Sequence, residues 1–308
     1  MRFLVTGGAG FIGSHLSREL VRRGHSVVIL DNMLHACAAP PLTVPGRLET
    51  RIGDIRNEEL MVMLAADSEM VLHLAAHINV DLVNIQPRFG VDVNVNGTLN
   101  VLEVCRRLDK SMLYMSSSEV YGAVTGKPHD EHSPTNPPHP YGATKLAAEK
   151  LATAYRSCYG MKILTSRSFN TYGPGQSLDS YGGFISKSII RALTGEPVVV
   201  FGDGKQTRDY IHVHDLVEGL IAQIDRMLPG PVVFASGAER TVETIAEYIA
   251  EKWGQAGVSY IGPRRGELAR LVGDSSYAKE ALKWEPKTEF YGEGLESVWR
   301  QIKVDMRL

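Results

Sequence analysis

Tyr141 and Lys145, in Pro140-Tyr141-Gly142-Ala143-Thr144-Lys145, are the two side chains of this 308-residue sequence best suited to moving a proton. At i and i+4 of a helical segment they share one face. A phenol is a poor base because its pKa lies near about 10, but an ammonium beside it favours the phenolate. Such a pair could take a proton from a hydroxyl near neutral pH. Upstream stands Ser116-Ser117-Ser118-Glu119, three hydroxyls and a carboxylate closing a strand-like run. Tyr-x-x-x-Lys alone arises by chance on many helices. Its weight here comes from the elements that must position it.

Those elements alternate. Strand-like runs near residues 2–6, 26–30, 48–52, 70–74, 111–116 and 162–167 alternate with helix-period segments at 11–23, 57–66, 90–107 and 141–159, the pattern of a parallel sheet covered on both faces. In such a sheet ligands sit beyond the carboxyl ends of the strands. After the first comes Thr6-Gly7-Gly8-Ala9-Gly10-Phe11-Ile12-Gly13. Its glycines suit a tight turn, a close backbone approach to a pyrophosphate and close helix packing, and the helix N-terminus faces the anion. The spacing is G-x-x-G-x-x-G, a variant of the dinucleotide fingerprint. Asp31 closes the second strand, where an acid receives the adenosine ribose hydroxyls. Asn32 rather than an arginine follows it, which favours NAD over NADP. Gly53-Asp54-Ile55 follows the third strand, where Asp54 either holds the adenine edge with Ile55 packed on its face or is a solvated loop acid. His73-Leu74-Ala75-Ala76 closes the fourth. Its small side chains let a cofactor lie against the backbone, with His73 expected as a hydrogen-bonded core histidine.

Net charge is -2, which excludes the basic field that attracts nucleic acid or anionic lipid and leaves small molecules as expected partners. Cys37, Cys105 and Cys158 are odd in number and far apart; reduced, buried thiols of a cytosolic protein are expected. Met1 leads at once into the first strand and no apolar run approaches ~18 residues, so neither a signal peptide nor a membrane span is expected, and a cytoplasmic location is. The proline-rich stretch 36–46 reads as a surface loop near the adenine end. After about residue 168 glycine and proline punctuate shorter elements. That suggests a dinucleotide domain from 1–169 and 205–235, with a second lobe from 170–204 and 236–308. His212-Val213-His214-Asp215 lacks a third ligand at metal spacing, and strand alternation would send His212 and Asp215 to opposite faces. No metal is expected.

In order, Gly7 to Gly13, Asp31-Asn32, Gly53-Asp54, His73-Leu74-Ala75-Ala76, Ser116-Ser117-Ser118, Tyr141 to Lys145 and Phe169-Asn170-Thr171-Tyr172-Gly173-Pro174 resemble the extended short-chain dehydrogenases. More closely, they resemble the NAD-dependent nucleotide-sugar epimerase/dehydratase group. The likeness continues through Phe201 to Leu216 and Pro263-Arg264-Arg265-Gly266-Glu267, nearly the whole chain. It implies a Rossmann-type doubly wound parallel sheet with a smaller mixed α/β lobe. It implies NAD held by Gly7, Gly10, Phe11, Ile12, Gly13, Asp31, Asn32, Asp54, Ile55, Leu74, Ala75, Ala76, Asn94, Ser116, Tyr141 and Lys145. Ser117 matches the position that hydrogen-bonds the substrate hydroxyl, Tyr141 the base, and Lys145 the residue that lowers the tyrosine pKa and holds the nicotinamide ribose. Ser118, Asn170, Phe201, Arg208 and Arg264 match contacts to a nucleotide-diphosphate sugar, a UDP-sugar favoured. Arg208 and Arg264 clamp the diphosphate, a use that suits a fork of donors, with Arg265 a competitor one residue away. A homodimer through the helices at 90–107 and 141–159 is also implied.

Two chemistries follow from that likeness. In a 4-epimerase C4 is oxidised to a bound 4-keto sugar and hydride returns to the opposite face; this is the leading expectation. Alternatively the ketone acidifies the C5 hydrogen, and Glu119 serves as a second acid/base group for 4,6-dehydration or decarboxylation. Ser-Ser-Glu before Val-Tyr-Gly is similar to the threonine-serine-glutamate of GDP-mannose dehydratases and UDP-glucuronate decarboxylases. Arg264-Arg265-Gly266-Glu267 looks like the epimerase loop, and Ser118 stands where dTDP-glucose dehydratases carry aspartic acid. A non-catalytic dinucleotide-binding protein is disfavoured by the intact Ser117, Tyr141 and Lys145.

Overall fold

The computed structural model describes residues 1–36, 43–123, 126–178, 182–264 and 266–307. The six expected strands form as β1 (Arg2–Thr6), β2 (Ser26–Asp31), β3 (Leu48–Ile52), β4 (Met70–His73), β5 (Ser111–Ser117) and β6 (Ile163–Ser168). The later strands are β7 (Asn170–Tyr172), β8 (Val198–Phe201), β9 (Thr207–His212), β10 (Val232–Phe234), β11 (Glu239–Thr241), β12 (Val258–Ile261) and β13 (Arg270–Leu271). One seven-stranded sheet runs in the order β10-β6-β5-β4-β1-β2-β3, with every pair parallel. Alternation along β1 explains why both faces need helices. Phe3 and Val5 pack with Leu16, Leu20, Leu216 and Leu220 on one side, whereas Leu4 packs with Met61, Leu102, Ala148 and Ala152 on the other. This is the expected doubly wound architecture. The order reverses between β1 and β4, which opens a crevice at their carboxyl ends.

The long helix expected at 90–107 is composite. It begins as Pro87–Val91, widens into a π-helical stretch over Asp92–Gly97 and continues as Thr98–Arg107. Thr98 Oγ1 donates to the Asn94 carbonyl at 2.7 Å, a side-chain bond made inside the widened turn. A further short helix, Val80–Ile85, is capped by Asn79, whose Oδ1 accepts from Leu82 N.

The remaining strands make two small sheets. One has the order β11-β9-β13 with β7 also on β9, and the other pairs β12 with β8. Their helices close a separate core around Ile189, Val200, Ile245, Ile249 and Phe290. The stretch 205–235, expected wholly with the first sheet, divides. Strand β9 has its edges taken by β7, β11 and β13, while the helix Val213–Arg226 and β10 return to the first sheet.

Two smaller expectations change. Cys105 is buried but Cys158 is exposed near the end of the helix Pro140–Tyr159; Cys37 and most of the loop expected at 36–46 lie outside the described residues. Strand alternation does not reach Asp215, because β9 ends at His212 and a helix starts at Val213. His212 instead caps that helix by accepting from His214 N, and Asp215 accepts from Lys287 N and Thr288 N. Among the described residues no group of three metal-ligating side chains gathers, and no helix is long and apolar enough to cross a membrane.

Candidate active site

The glycine turn is built for close approach. Gly7 adopts φ +71°, and a Cβ there would lie 2.6 Å from Ala75 N; a Cβ on Gly13 would collide with the Gly7 carbonyl. Gly10 caps the helix Phe11–Arg22 without using a side chain. Its first amides therefore face the cavity at the strand ends. That cavity is lined by Gly7, Gly10, Phe11, Ile12, Gly13, Asp31, Asn32, Asp54, Ile55, Leu74, Ala75 and Ala76, and further along by Ser116, Ser117, Tyr141 and Lys145. Asp31 is fixed in its wall: its carboxylate accepts from Ala9 N at 3.0 Å and Met33 N at 2.9 Å. Asp54 lines the same cavity and is paired with Arg56. Hydrogen bonds from Arg56 are the main cause of a pKa pulled down to about 2, and Asn32 adds another. His73 is the expected core histidine, between the hydroxyls of Thr6 and Thr98 at 2.7 and 2.9 Å, with burial holding its pKa down to about 3.

Asn94 stands apart from the other expected cofactor contacts. Its side chain is 1% exposed. Its Oδ1 accepts from His77 N, while its Nδ2 donates to the His77 carbonyl and to Thr144 Oγ1. It ties the backbone after β4 to the Tyr141 helix from behind the cavity wall. The amide is engaged by protein on both ends and braces the wall from outside the cavity lining.

At the other end of the cavity, Pro140 opens the helix at its first turn, where a missing N–H costs nothing, and brings Tyr141 and Lys145 beside the end of β5. Both are buried. Lys145 Nζ donates to the Met115 carbonyl at 2.6 Å and lies 4.5 Å from the Tyr114 ring centroid. Burial draws its pKa down to about 7, and the Glu149 charge pulls the other way. Burial also pushes the Tyr141 phenol above its ordinary range, the Ser117 hydrogen bond opposing and the Glu119 charge reinforcing that rise. The Lys145 ammonium is turned onto the Met115 carbonyl.

Behind this end lies a buried ion pair. Glu149, one turn beyond Lys145, accepts from Ser116 Oγ at 2.6 Å and from Arg167 Nε at 3.0 Å, and Arg167 also donates to the Tyr121 hydroxyl. Glu119 sits in the short turn Ser118–Val120. Its Oε2 lies 3.0 Å from His139 Nε2, and its backbone N donates to Ser117 Oγ.

Neither Glu119 nor Ser118 is on the cavity wall, and neither are Asn170, Phe201, Arg208 and Arg264. The last two are gathered on the small lobe. Arg264 stacks over Phe201 with its guanidinium carbon 3.9 Å from the ring centroid. Arg208 donates to the carbonyls of Thr207 and Leu268 and reaches Glu267 at 3.3 Å. Arg265 lies outside the described residues. The wall also contains Ser168, Gln176, Ser177, His77 and Phe89, which the sequence reading passed over. Ser168 ends β6 and obeys the strand-end rule. Gln176 and Ser177 directly follow Gly173-Pro174-Gly175, a turn whose composition marked the place.

With that geometry in hand, the likeness to known proteins can be stated. Residues 4–296 match the family model described as GDP-mannose 4,6 dehydratase. The chain is 34% identical over 308 residues, 99% of each chain, to a Methanocaldococcus jannaschii protein provisionally named UDP-glucose 4-epimerase. It is 33% identical over 300 residues, 93% of this chain and 66% of the relative, to UDP-glucuronic acid decarboxylase 1 of Arabidopsis thaliana. Among solved structures, the Thermus thermophilus UDP-glucose 4-epimerase in complex with NAD superposes with a TM-score of 0.91 at 32% identity, covering 98% of this chain and 99% of that one.

Proposed function

We propose that this chain, which belongs to the extended short-chain dehydrogenase family of NAD-dependent nucleotide-sugar epimerases and dehydratases, is a nucleotide-sugar 4-epimerase. NAD is its cofactor, and a UDP-sugar is the favoured substrate. The glycine turn fits the dinucleotide: a Cβ at Gly7 would strike Ala75 N and one at Gly13 the Gly7 carbonyl, so only glycines hold the turn this tight and leave the helix N-terminus open to a pyrophosphate. Bound there, NAD supplies a reversible hydride acceptor for the sugar's C4 and a positive charge that favours the phenolate. Tyr141 accepts the O4 proton and later returns it. Ser117, which hydrogen-bonds the phenol, is assigned to hold that hydroxyl. Lys145, fixed on the Met115 carbonyl, presents a cation at the same wall. Arg208 and Arg264 are assigned to the diphosphate, as permanent charges with forked donors.

One observation carries the choice of 4-epimerase: Ser117, Tyr141 and Lys145 share the cavity wall, whereas Glu119 is off it and turned to His139. The second reading, 4,6-dehydration or decarboxylation with Glu119 as a C5 base, is favoured by the Ser-Ser-Glu run and by the likeness to a UDP-glucuronic acid decarboxylase. Incubating the purified enzyme with a panel of UDP-sugars in deuterated water separates the two. Product inverted at C4 with hydrogen retained at C5 is expected. Deuterium at C5, a 4-keto-6-deoxy sugar or a decarboxylated sugar selects the second reading. The same preparation should be a homodimer by light scattering, joined through the helices at 87–107 and Pro140–Tyr159, and should bind NAD more tightly than NADP because Asp31 repels a 2′-phosphate. The cytoplasm is the assigned location.

A further inference from the structure

The residue preceding Pro140 occupies two positions at once. His139 is the N-cap of the Tyr141 helix, with its Nδ1 accepting from Gly142 N at 3.1 Å. A backbone amide can only donate, so Nδ1 is bare and the ring's proton is on Nε2. That nitrogen then donates to Glu119 Oε2, 3.0 Å away. The acceptor is a carboxylate oxygen. A doubly protonated ring could not make the cap bond, so the two contacts specify one tautomer. The His139 ring also lies nearly parallel to the Tyr141 ring, at 15° and 6.2 Å between centroids. Burial leaves His139 8% exposed. A serine would cap as well, so capping alone does not explain a histidine here.

We propose that His139 is a positioning residue that fastens the Glu119 carboxylate to the first turn of the Tyr141 helix, making it a fixed charge beside the phenol rather than a mobile base. The proposal deepens the nucleotide-sugar reading and rests on Tyr141 being its base. Among the described residues, Ser117 and Glu119 from the end of β5 and the turn after it and Tyr114 from within β5 act on the Tyr141 phenol, His139 stacks beside its ring from the helix cap, and Lys145 one turn on points its ammonium at the Met115 carbonyl. Glu119 is the acid among them, and its charge raises the phenol. Released from His139, this partly exposed carboxylate gains most by turning into water, and the phenol then titrates lower.

The test reads the phenol directly and needs no sugar. Tyrosinate absorbance is followed against pH in NAD-loaded enzyme, with Tyr141→Phe as the blank, for wild type, His139→Ser, Glu119→Gln and the double variant. Serine keeps the cap, and circular dichroism with NAD content checks the fold. His139→Ser should move the Tyr141 titration down on the order of one pH unit. Glu119→Gln should do the same, and the double variant should add nothing to Glu119→Gln. An unmoved or raised titration in His139→Ser overturns the proposal. So does a His139→Ser effect that persists undiminished on top of Glu119→Gln. Nitrogen NMR of the His139 ring gives a second arm: protonated Nε2 with bare Nδ1 is expected, and the opposite tautomer overturns it. If no UDP-sugar is turned over, the function assigned above fails while these titrations still decide the role of His139.

Discussion

Behind the end of β5 the Glu149–Arg167 ion pair is dry and close; on the small lobe the Arg208–Glu267 pair is wetter and longer. Glu149 and Arg167 have side chains 3% and 5% exposed; Glu149 also accepts from Ser116, and Arg167 also donates to Tyr121. Arg208 and Glu267 are 13% and 22% exposed and meet at 3.3 Å, and Arg264 is exposed on the Phe201 ring. A buried charge that loses its partner cannot turn to water, so the reaction end keeps its geometry before any ligand arrives. Charges on the lobe can exchange protein partners for a diphosphate at small cost. The groups proposed for proton transfer and those proposed to hold the diphosphate thus sit in different dielectric environments.

That contrast can be broken in order of size. Tyr141→Phe removes only the phenol oxygen from the dry end and should lower turnover by about two to four orders of magnitude with NAD content unchanged; activity within tenfold of wild type would remove Tyr141 from the chemistry. Glu149→Gln strands the Arg167 guanidinium and should cost about 3–5 kcal/mol in urea unfolding. Glu267→Gln on the lobe should cost about 1 kcal/mol or less. Equal losses in those two variants would abolish the distinction drawn above.

Lys145→Met tests the dry end through pH. Burial lowers the Lys145 pKa from 10.5 to about 7, so between those values the unfolded chain binds a proton the folded chain does not. Stability from this group therefore rises with pH across that window and is lowest below it. The variant, measured without cofactor, should be stabilised relative to wild type below about pH 7, with the advantage shrinking towards pH 10.5. A pH-independent difference would show that Lys145 stays charged when buried. Arg264→Ala should have the smallest effect of the series on the protein itself. Nucleotide-sugar affinity should fall on the order of tenfold to a hundredfold, while melting temperature and NAD binding stay put by calorimetry.

Much of this molecule was legible because its rules are local. Gly7, Gly10 and Gly13 announce a turn through the lack of a Cβ, and alternating apolar runs announce a two-sided sheet. Tyr141 and Lys145 meet by helix spacing alone, and the strand-end rule locates Asp31, Ala75 and Ser117. The rest was decided by partners far along the chain. Glu119 finds His139 twenty residues on, Asn94 finds Thr144 fifty residues on, and Arg208 meets Glu267 fifty-nine residues away. Sequence therefore determined the sheet, the cradle and the proton-transfer pair, because each depends on periodicity or on a missing side chain. Tertiary structure alone decided that Asn94 is tied to His77 and Thr144, that Lys145 donates to the Met115 carbonyl, and that Glu119 faces a histidine. Hydrogen-bond partners and desolvation depend on what folding packs around a group, and no local spacing carries that information.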